Sequence, residues 1–258
     1  MPLIYEPAGR AREYAALACN PYAGCDHACI YCYAPSATFK ERPDFSISKP
    51  RKNFDALLEK EAAQLSRLGK HGQVLLSFTC DPYQHLDVKE QTTRKTIVTL
   101  HRHGFRTCTL TKGGTRALRD IDLFRPGDAF ATTLTFTGDD DRWLEWEPRA
   151  ASPADRIYAI SAFHQTGIPT WVSLEPVIDP QESLELIRRT HNFVDLFKVG
   201  KMNYHPIAKM IDWRSFGCSA IQLLESLGYR RQTNPDAVKS ANSVDRQYYI
   251  KRDLAEFL

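Results

Sequence analysis

Six short runs rich in apolar and β-branched residues, over residues 14–19, 73–79, 105–111, 129–136, 169–175 and 193–200, alternate with stretches of helical periodicity. Phe54, Leu57, Leu58, Leu65 and Leu68 recur at the spacing of one helix face, as do Ile97, Val98 and Leu100, and later Ile157, Ile160 and Phe163. Ser152 followed by Pro153 predicts a helix cap and first turn. Gly104, Gly167 and Gly228 fall where helices would end. Single strands separated by single helices are βαβ units, and their right-handed crossovers build a parallel sheet. Six units are too few for the usual eight-stranded barrel. The expected class is therefore α/β, an open (β/α)6 partial TIM barrel over residues 1–205. Residues 206–258 are expected to form a short C-terminal helical capping extension packed on it. A flat doubly wound sheet is the alternative, but the G-x-G-x-x-G turn of a dinucleotide fold is missing after the first strand.

A chain of 258 residues, 43% hydrophobic and 25% charged, has the make-up of a globular enzyme and not of a disordered or fibrous protein. At this length folding buries about 75% of the unfolded surface, so no disulfide framework is needed. No apolar run reaches membrane-spanning length, and residues 1–14 lack the apolar region of a signal peptide, so a cytoplasmic protein is expected. The net charge of +3 says little, but its distribution is uneven. Residues 94–119 hold seven Lys/Arg and no acid, residues 120–185 hold 13 acids against four Arg, and residues 188–252 hold 12 bases against five acids. These blocks read either as a basic surface beside an acidic one or as solvated helix faces.

Seven cysteines are an odd number, and Cys25, Cys29 and Cys32 lie within eight residues, directly after the first strand. In a reducing compartment such a cluster reads as metal binding or redox chemistry and not as disulfides, with chance clustering in a core as the bland alternative. Their spacing is C-x3-C-x2-C. Thiolates suit iron–sulfur clusters and zinc. Gly24 supplies the backbone freedom needed for the loop to curl around one small inorganic object. Three thiolates on a four-iron cluster leave one iron without a protein ligand, open to a small chelating molecule. A structural zinc site would need a fourth ligand, for which His27 and Cys19 are the candidates, and no second C-x2-C is present.

The string from Asn20 through Ala34, with Tyr31 and Tyr33 flanking the last cysteine, resembles the radical S-adenosylmethionine (SAM) superfamily, and within it the branch that includes spore photoproduct lyase. The resemblance continues at Asp81-Pro82-Tyr83-Gln84, Thr111-Lys112, Arg119-Asp120-Ile121-Asp122-Leu123 and Glu147-Pro148-Arg149-Ala150-Ala151-Ser152-Pro153, covering about residues 16 to 205. It implies a [4Fe-4S] cluster on Cys25, Cys29 and Cys32 whose open iron is chelated by the amine and carboxylate of SAM. One electron from the cluster would then cleave the sulfonium bond, giving a 5′-deoxyadenosyl radical that abstracts hydrogen from a substrate. The electron would come from a flavodoxin- or ferredoxin-type reductant.

The same resemblance implies SAM contacts at the C-terminal ends of the strands. Tyr31 would lie near adenine, or simply pack in the loop. Asp81 would meet the amine and Lys112 the carboxylate, unless that lysine is solvent-exposed. Thr133 and Thr135, two apart on one strand, would share a face and bond the ribose, or form a polar barrel layer. Ser173, Glu175, Lys198 and Lys201 are candidates for the substrate cavity. Cys80 stands where relatives carry a hydroxyl residue. It is either a hydrogen donor to a substrate radical or a pocket-lining thiol. Cys19, Cys108 and Cys218 are expected to be buried small hydrophobes.

The branch contains a DNA-repair enzyme, which makes nucleic acid one substrate class, with the basic stretch 94–119 as its phosphate contact and Tyr22, Tyr31, Tyr33 and Tyr83 as stacking rings. A different class of function is a non-catalytic zinc or iron–sulfur module that recognises nucleic acid. Nothing in the sequence fixes the oligomeric state.

Overall fold

The computed structural model describes residues 2–233 and 246–258. Its strands, in chain order, are β1 (Ile4–Tyr5), β2 (Leu17–Cys19), β3 (Tyr22–Ala23), β4 (Lys49–Pro50), β5 (Gln73–Leu76), β6 (Arg106–Thr111), β7 (Ala129–Thr133), β8 (Thr170–Leu174), β9 (Leu196–Val199), β10 (Arg230–Arg231) and β11 (Gln247–Ile250). Strands β2, β5, β6, β7, β8 and β9 are neighbours in that order and all parallel, one from each of the six apolar runs. This is the open (β/α)6 partial barrel that the alternation predicts.

Alternation along the strands separates two interiors. Ala18, Leu75, Cys108, Ala129, Ala131, Trp171 and Leu196 form one cluster, set in register across the sheet by pairs such as Leu75↔Cys108 and Trp171↔Leu196. These mostly small side chains allow the sheet to curl, and the Trp171 indole fills the space they leave, donating to Cys108 Sγ at 3.1 Å. Residues one step along, including Phe130, Val172, Leu174 and Phe197, pack instead against the helices Pro153–Gln165, Pro180–Thr190 and Trp213–Ser226. Ser152 caps the first of these through Asp155 N at 3.2 Å, and Asp179 caps the second through Gln181 N at 2.9 Å. Gly104, Gly167 and Gly228 all take the left-handed conformation after their helices.

Residues 206–258 do more than cover one end. The Trp213–Ser226 helix packs on the core, and β11 joins the sheet as a seventh parallel strand beside β9, with Tyr248 opposite Phe197. The chain thus carries its sheet past residue 205. Cys19 and Cys108 are buried, but Cys218 is exposed, against the sequence expectation. Its helix turns Trp213, Phe216, Gly217, Ala220 and Leu224 inward, and position 218 falls off that stripe. Leu57, Leu68 and Val98 are likewise exposed at the margins of their helix faces.

Candidate active site

One cavity of about 410 Å³ opens at the C-terminal ends of the parallel strands. Every parallel strand but β2 and the short β10 contributes near its end: Cys80 and Asp81 after β5, Lys112 after β6, Thr133 on β7, Ser173 and Glu175 at β8, Lys201 after β9 and Lys251 after β11. The cysteine loop that follows β2 forms one wall with Cys25, Cys29 and Cys32. Functional groups from sequentially remote strands meet here because parallel strands all end on one side of the sheet.

The cysteine loop is tied down from three directions. Cys25 N donates to Phe45 O at 2.9 Å, Ile30 N to Trp146 O at 3.0 Å and Arg149 N to His27 O at 3.3 Å. Asp26 N donates to Gln84 Oε1 at 2.8 Å, and the Asp26 carboxylate accepts from Leu86 N at 2.9 Å. Gly24 has φ +90°, and a Cβ there would stand 2.5 Å from Phe45 O, so no larger residue fits without movement. Burial pushes all three thiols up, Cys29 to about 12, and Cys25 well above its ordinary value. Thiols raised in this way are neutral, and a metal centre binding them would have to displace their protons.

Among the described residues, no three His, Cys, Asp or Glu side chains converge closely enough to hold a single metal ion. Cys25, Cys29 and Cys32 all line the cavity. The two candidates for a fourth zinc ligand are also engaged elsewhere. His27 Nε2 accepts from Arg116 Nη2 at 2.9 Å, which leaves the ring proton on Nδ1, 3.5 Å from Asp81 Oδ2. Burial, reinforced by Arg116, holds this imidazole neutral. Cys19 faces the opposite side of the sheet, packed with Phe54, Leu58 and Leu76.

Behind the cysteine loop lies a buried ionic lattice. Glu147 and Arg156 are both essentially inaccessible and paired, and Tyr31 donates its hydroxyl to Glu147. Lys112 Nζ stands 3.9 Å from Glu147 and 5.1 Å from the centroid of the Tyr31 ring. Lys112 therefore points inward instead of into solvent, and Tyr31 is fixed at both its ring and its hydroxyl. Burial works against ionising Glu147, but Arg156 and Lys112 outweigh it and leave its carboxyl below the usual range. Asp81 accepts from Thr111 Oγ1 and Lys112 N, both at 2.6 Å, and from Tyr83 N at 2.9 Å. It holds the turn that carries Lys112.

Thr133 lines the cavity, but Thr135 does not. β7 ends at Thr133, so the two-residue alternation fails beyond it, and Thr135 is buried with its hydroxyl unpartnered among the described residues. Cys80 lines the wall with its sulfur 3.1 Å from Ser77 Oγ, and burial pushes its thiol up to about 11. Ser173, Glu175 and Lys201 line the cavity as expected. Lys198 does not: it is buried and donates to the carbonyls of Glu13 and Tyr14 at 2.9 and 3.1 Å. Sequence reasoning missed the partners on the wall facing the cysteines. Tyr14 OH donates to Glu175 Oε2 at 2.6 Å, Lys251 pairs with the same carboxylate, and Asn203 Nδ2 reaches Glu175 Oε1 at 3.2 Å.

Of the seven bases in the stretch 94–119, three arginines are held by carboxylates. Arg94 pairs with Asp120 and Asp122, Arg119 with Asp87 and Asp120, and Arg102 with Glu59. Of its proposed stacking rings, Tyr22 and Tyr83 are buried in the scaffold.

Residues 19–194 match the family model described as the Radical SAM superfamily. The chain belongs to that superfamily. As a radical SAM enzyme it has a family chemistry that uses SAM together with an iron–sulfur cluster. An uncharacterized protein of Methanocaldococcus jannaschii is 24% identical over 184 residues, covering 69% of this chain and 67% of that protein. An uncharacterized Mycobacterium tuberculosis protein is 29% identical over 169 residues, and the match spans about half of its length, 48%, and 62% of this chain. Among solved structures, spore photoproduct lyase complexed with dinucleoside spore photoproduct superposes with a TM-score of 0.66 at 14% identity, covering 91% of this chain and 76% of the lyase. Streptococcus suis SuiB bound to S-adenosylmethionine gives 0.53 at 13% identity, over 81% of this chain and 46% of SuiB. These two likenesses establish the shared fold. No helix among the described residues is long and apolar enough to cross a membrane.

Proposed function

We propose that this radical SAM enzyme binds a [4Fe-4S] cluster through Cys25, Cys29 and Cys32 and SAM beside it, acting in the cytoplasm with a flavodoxin- or ferredoxin-type electron donor. When bound, that pair would supply a 5′-deoxyadenosyl radical able to take a hydrogen atom from a substrate. The observation that carries this reading is the convergence of three thiols with Asp81, Lys112 and Thr133 on the walls of one cavity. The three cysteines leave a coordination position to a small molecule because His27 and Cys19 are both occupied elsewhere.

In this reading the residues divide the work. Lys112, held inward by Glu147 and by the Tyr31 ring, supplies a positive point charge for the SAM carboxylate. Asp81 fixes that lysine through its backbone amide while its carboxylate stays on the cavity wall near the SAM amine. Tyr31, clamped by Glu147, offers an edge to the adenine, and Thr133 a hydroxyl to the ribose. Cys80 keeps its S–H proton and is a wall residue with a hydrogen atom to return to substrate. The substrate lies against Tyr14, Tyr33 and Phe78, three rings on the wall toward Glu175, which favours a planar group such as a nucleobase in nucleic acid.

The test is anaerobic reconstitution with iron and sulfide, followed by dithionite and SAM. Formation of 5′-deoxyadenosine and methionine is expected, with a further product when DNA or RNA oligonucleotides are added. A colourless zinc protein inert toward SAM would support the metal-binding module instead.

A further inference from the structure

The cysteine loop lines the cavity with its inner face and packs against a strap over residues 39–52, of which Phe45 alone reaches the cavity wall. The strap is joined to the loop by the antiparallel pair β3–β4, with Tyr22 opposite Pro50 and Ala23 opposite Lys49. Phe45 O receives the amide of Cys25, and the close approach at Gly24 leaves no space between strap and loop. Arg42 reaches across to the backbone of two of the three thiol residues, donating to Cys29 O at 3.3 Å and Cys32 O at 3.1 Å. Its charge helps to offset the effect of burial on the Cys32 thiol.

The solvent side of this strap is unlike an ordinary surface loop. Phe39 is 98% exposed and Ile47 71% exposed, with Ile30 of the cysteine loop 45% exposed. Phe39 also has φ 55°, a conformation that costs a bulky side chain energy without gaining it any burial. Lys40, Arg42, Lys49 and Lys52, four of the strap's five bases, accompany these apolar groups, against Glu41 and Asp44. Among the described residues none of these four bases enters an ion pair. The longer basic stretch 94–119 differs here, since Arg94, Arg102 and Arg119 are held by carboxylates.

Resting on the cluster reading above, an electron must reach Cys25, Cys29 and Cys32 from outside while substrate and SAM fill the inner face. We propose that the outer face of the 39–52 strap is the docking surface for an acidic one-electron carrier protein. Phe39 and Ile47 form its apolar centre and Lys40, Arg42, Lys49 and Lys52 its positive surround. Arg42 then joins the contact surface to the ligand backbone through two hydrogen bonds. Electron-transfer encounters are small and short-lived, so a compact apolar spot within a charged ring is sufficient area. The charges raise the encounter rate more than the affinity, and salt weakens them.

The experiment measures reduction of the reconstituted full-length enzyme by stopped-flow absorbance under anaerobic conditions. The electron donors are reduced bacterial flavodoxin, reduced ferredoxin and dithionite. With at least one protein donor, K49E/K52E should slow reduction about tenfold at low salt, within the range expected of electrostatic steering, and rising salt should erase the difference. F39S/I47S should slow it at all salt concentrations. Dithionite-driven SAM cleavage should stay within about twofold of wild type in both variants, which shows that fold and cluster are intact. Wild-type rates with the protein donors in both variants, or failure of both acidic donors to reduce an enzyme that dithionite does reduce, would overturn the docking proposal. Failure of wild type to retain a cluster or to cleave SAM with dithionite would instead remove the reading beneath it.

Discussion

The cysteine wall of the cavity and the wall facing it are assembled in different ways. Cys25, Cys29 and Cys32 come from one loop, and no side chain among the described residues hydrogen-bonds to their sulfurs. The facing wall draws Tyr14 from the N-terminal segment, Glu175 from the end of β8, Asn203 from beyond β9 and Lys251 from the end of β11. There the Glu175 carboxylate already has a phenol, an amide and an ammonium as partners. One wall carries neutral thiols ready for an incoming centre, and the other is complete within the chain. The difference separates thiols that have no side-chain partner among the described residues from polar groups that are already paired within the chain.

The largest expected effect lies on the cysteine wall. Replacing any one of Cys25, Cys29 or Cys32 by Ala should abolish iron retention and 5′-deoxyadenosine formation while leaving the far-ultraviolet circular dichroism unchanged. Cys19→Ala should keep both activities, because that thiol faces the helices. If a single loop cysteine proves dispensable for iron and activity, the contrast between the walls fails.

On the facing wall the effect should appear as stability. Lys251→Met leaves Glu175 without its ammonium, and loss of one partner of a buried pair costs about 3 kcal/mol in denaturant unfolding. The double variant E175L/K251M should recover much of that loss, since a matched apolar pair leaves no charge stranded. Equal destabilisation by single and double variants would mean the pair is not coupled.

The Glu147–Arg156 pair behind the cysteine loop sharpens the comparison through pH. The Glu147 carboxyl is lowered in the folded protein, so its contribution is present above the ordinary carboxylate pKa and is lost as pH falls through the folded value. Glu147→Gln should be less stable near neutrality and show a flatter acid limb. An acid limb identical to wild type would assign acid sensitivity to other carboxylates.

The smallest effects separate two threonines. Thr133→Val should raise the KM for SAM about threefold to tenfold, the equivalent of one hydrogen bond. Thr135→Val should leave it unchanged and alter stability by less than about 0.5 kcal/mol, because its buried hydroxyl has no partner to lose among the described residues.

The two walls also differ in how far the sequence reveals them. The six parallel strands are legible because each apolar run lies between helical patterns, and the thiols because three cysteines on one loop leave a spacing. Tyr14, Glu175 and Lys251 leave none, since only the parallel topology brings positions 14, 175 and 251 together. Two-residue alternation misplaced Thr135 because it assumes a strand that continues, and β7 stops at Thr133. Lys198 turns away from the cavity because a strand lysine can bond to backbone carbonyls inside the protein instead, which its strand position does not reveal. The pairing of Arg94, Arg102 and Arg119 is not visible within the stretch 94–119, because their acidic partners Asp87, Asp120, Asp122 and Glu59 lie outside it in sequence.

The most direct test of the central claim is electron paramagnetic resonance of the reconstituted, dithionite-reduced enzyme with and without SAM. A cluster held by Cys25, Cys29 and Cys32 alone should change its signal when SAM is added, because the metabolite takes the position the protein leaves open. A reduced-cluster signal identical in the presence and absence of SAM would contradict the account, since it would mean that the protein itself fills the fourth position.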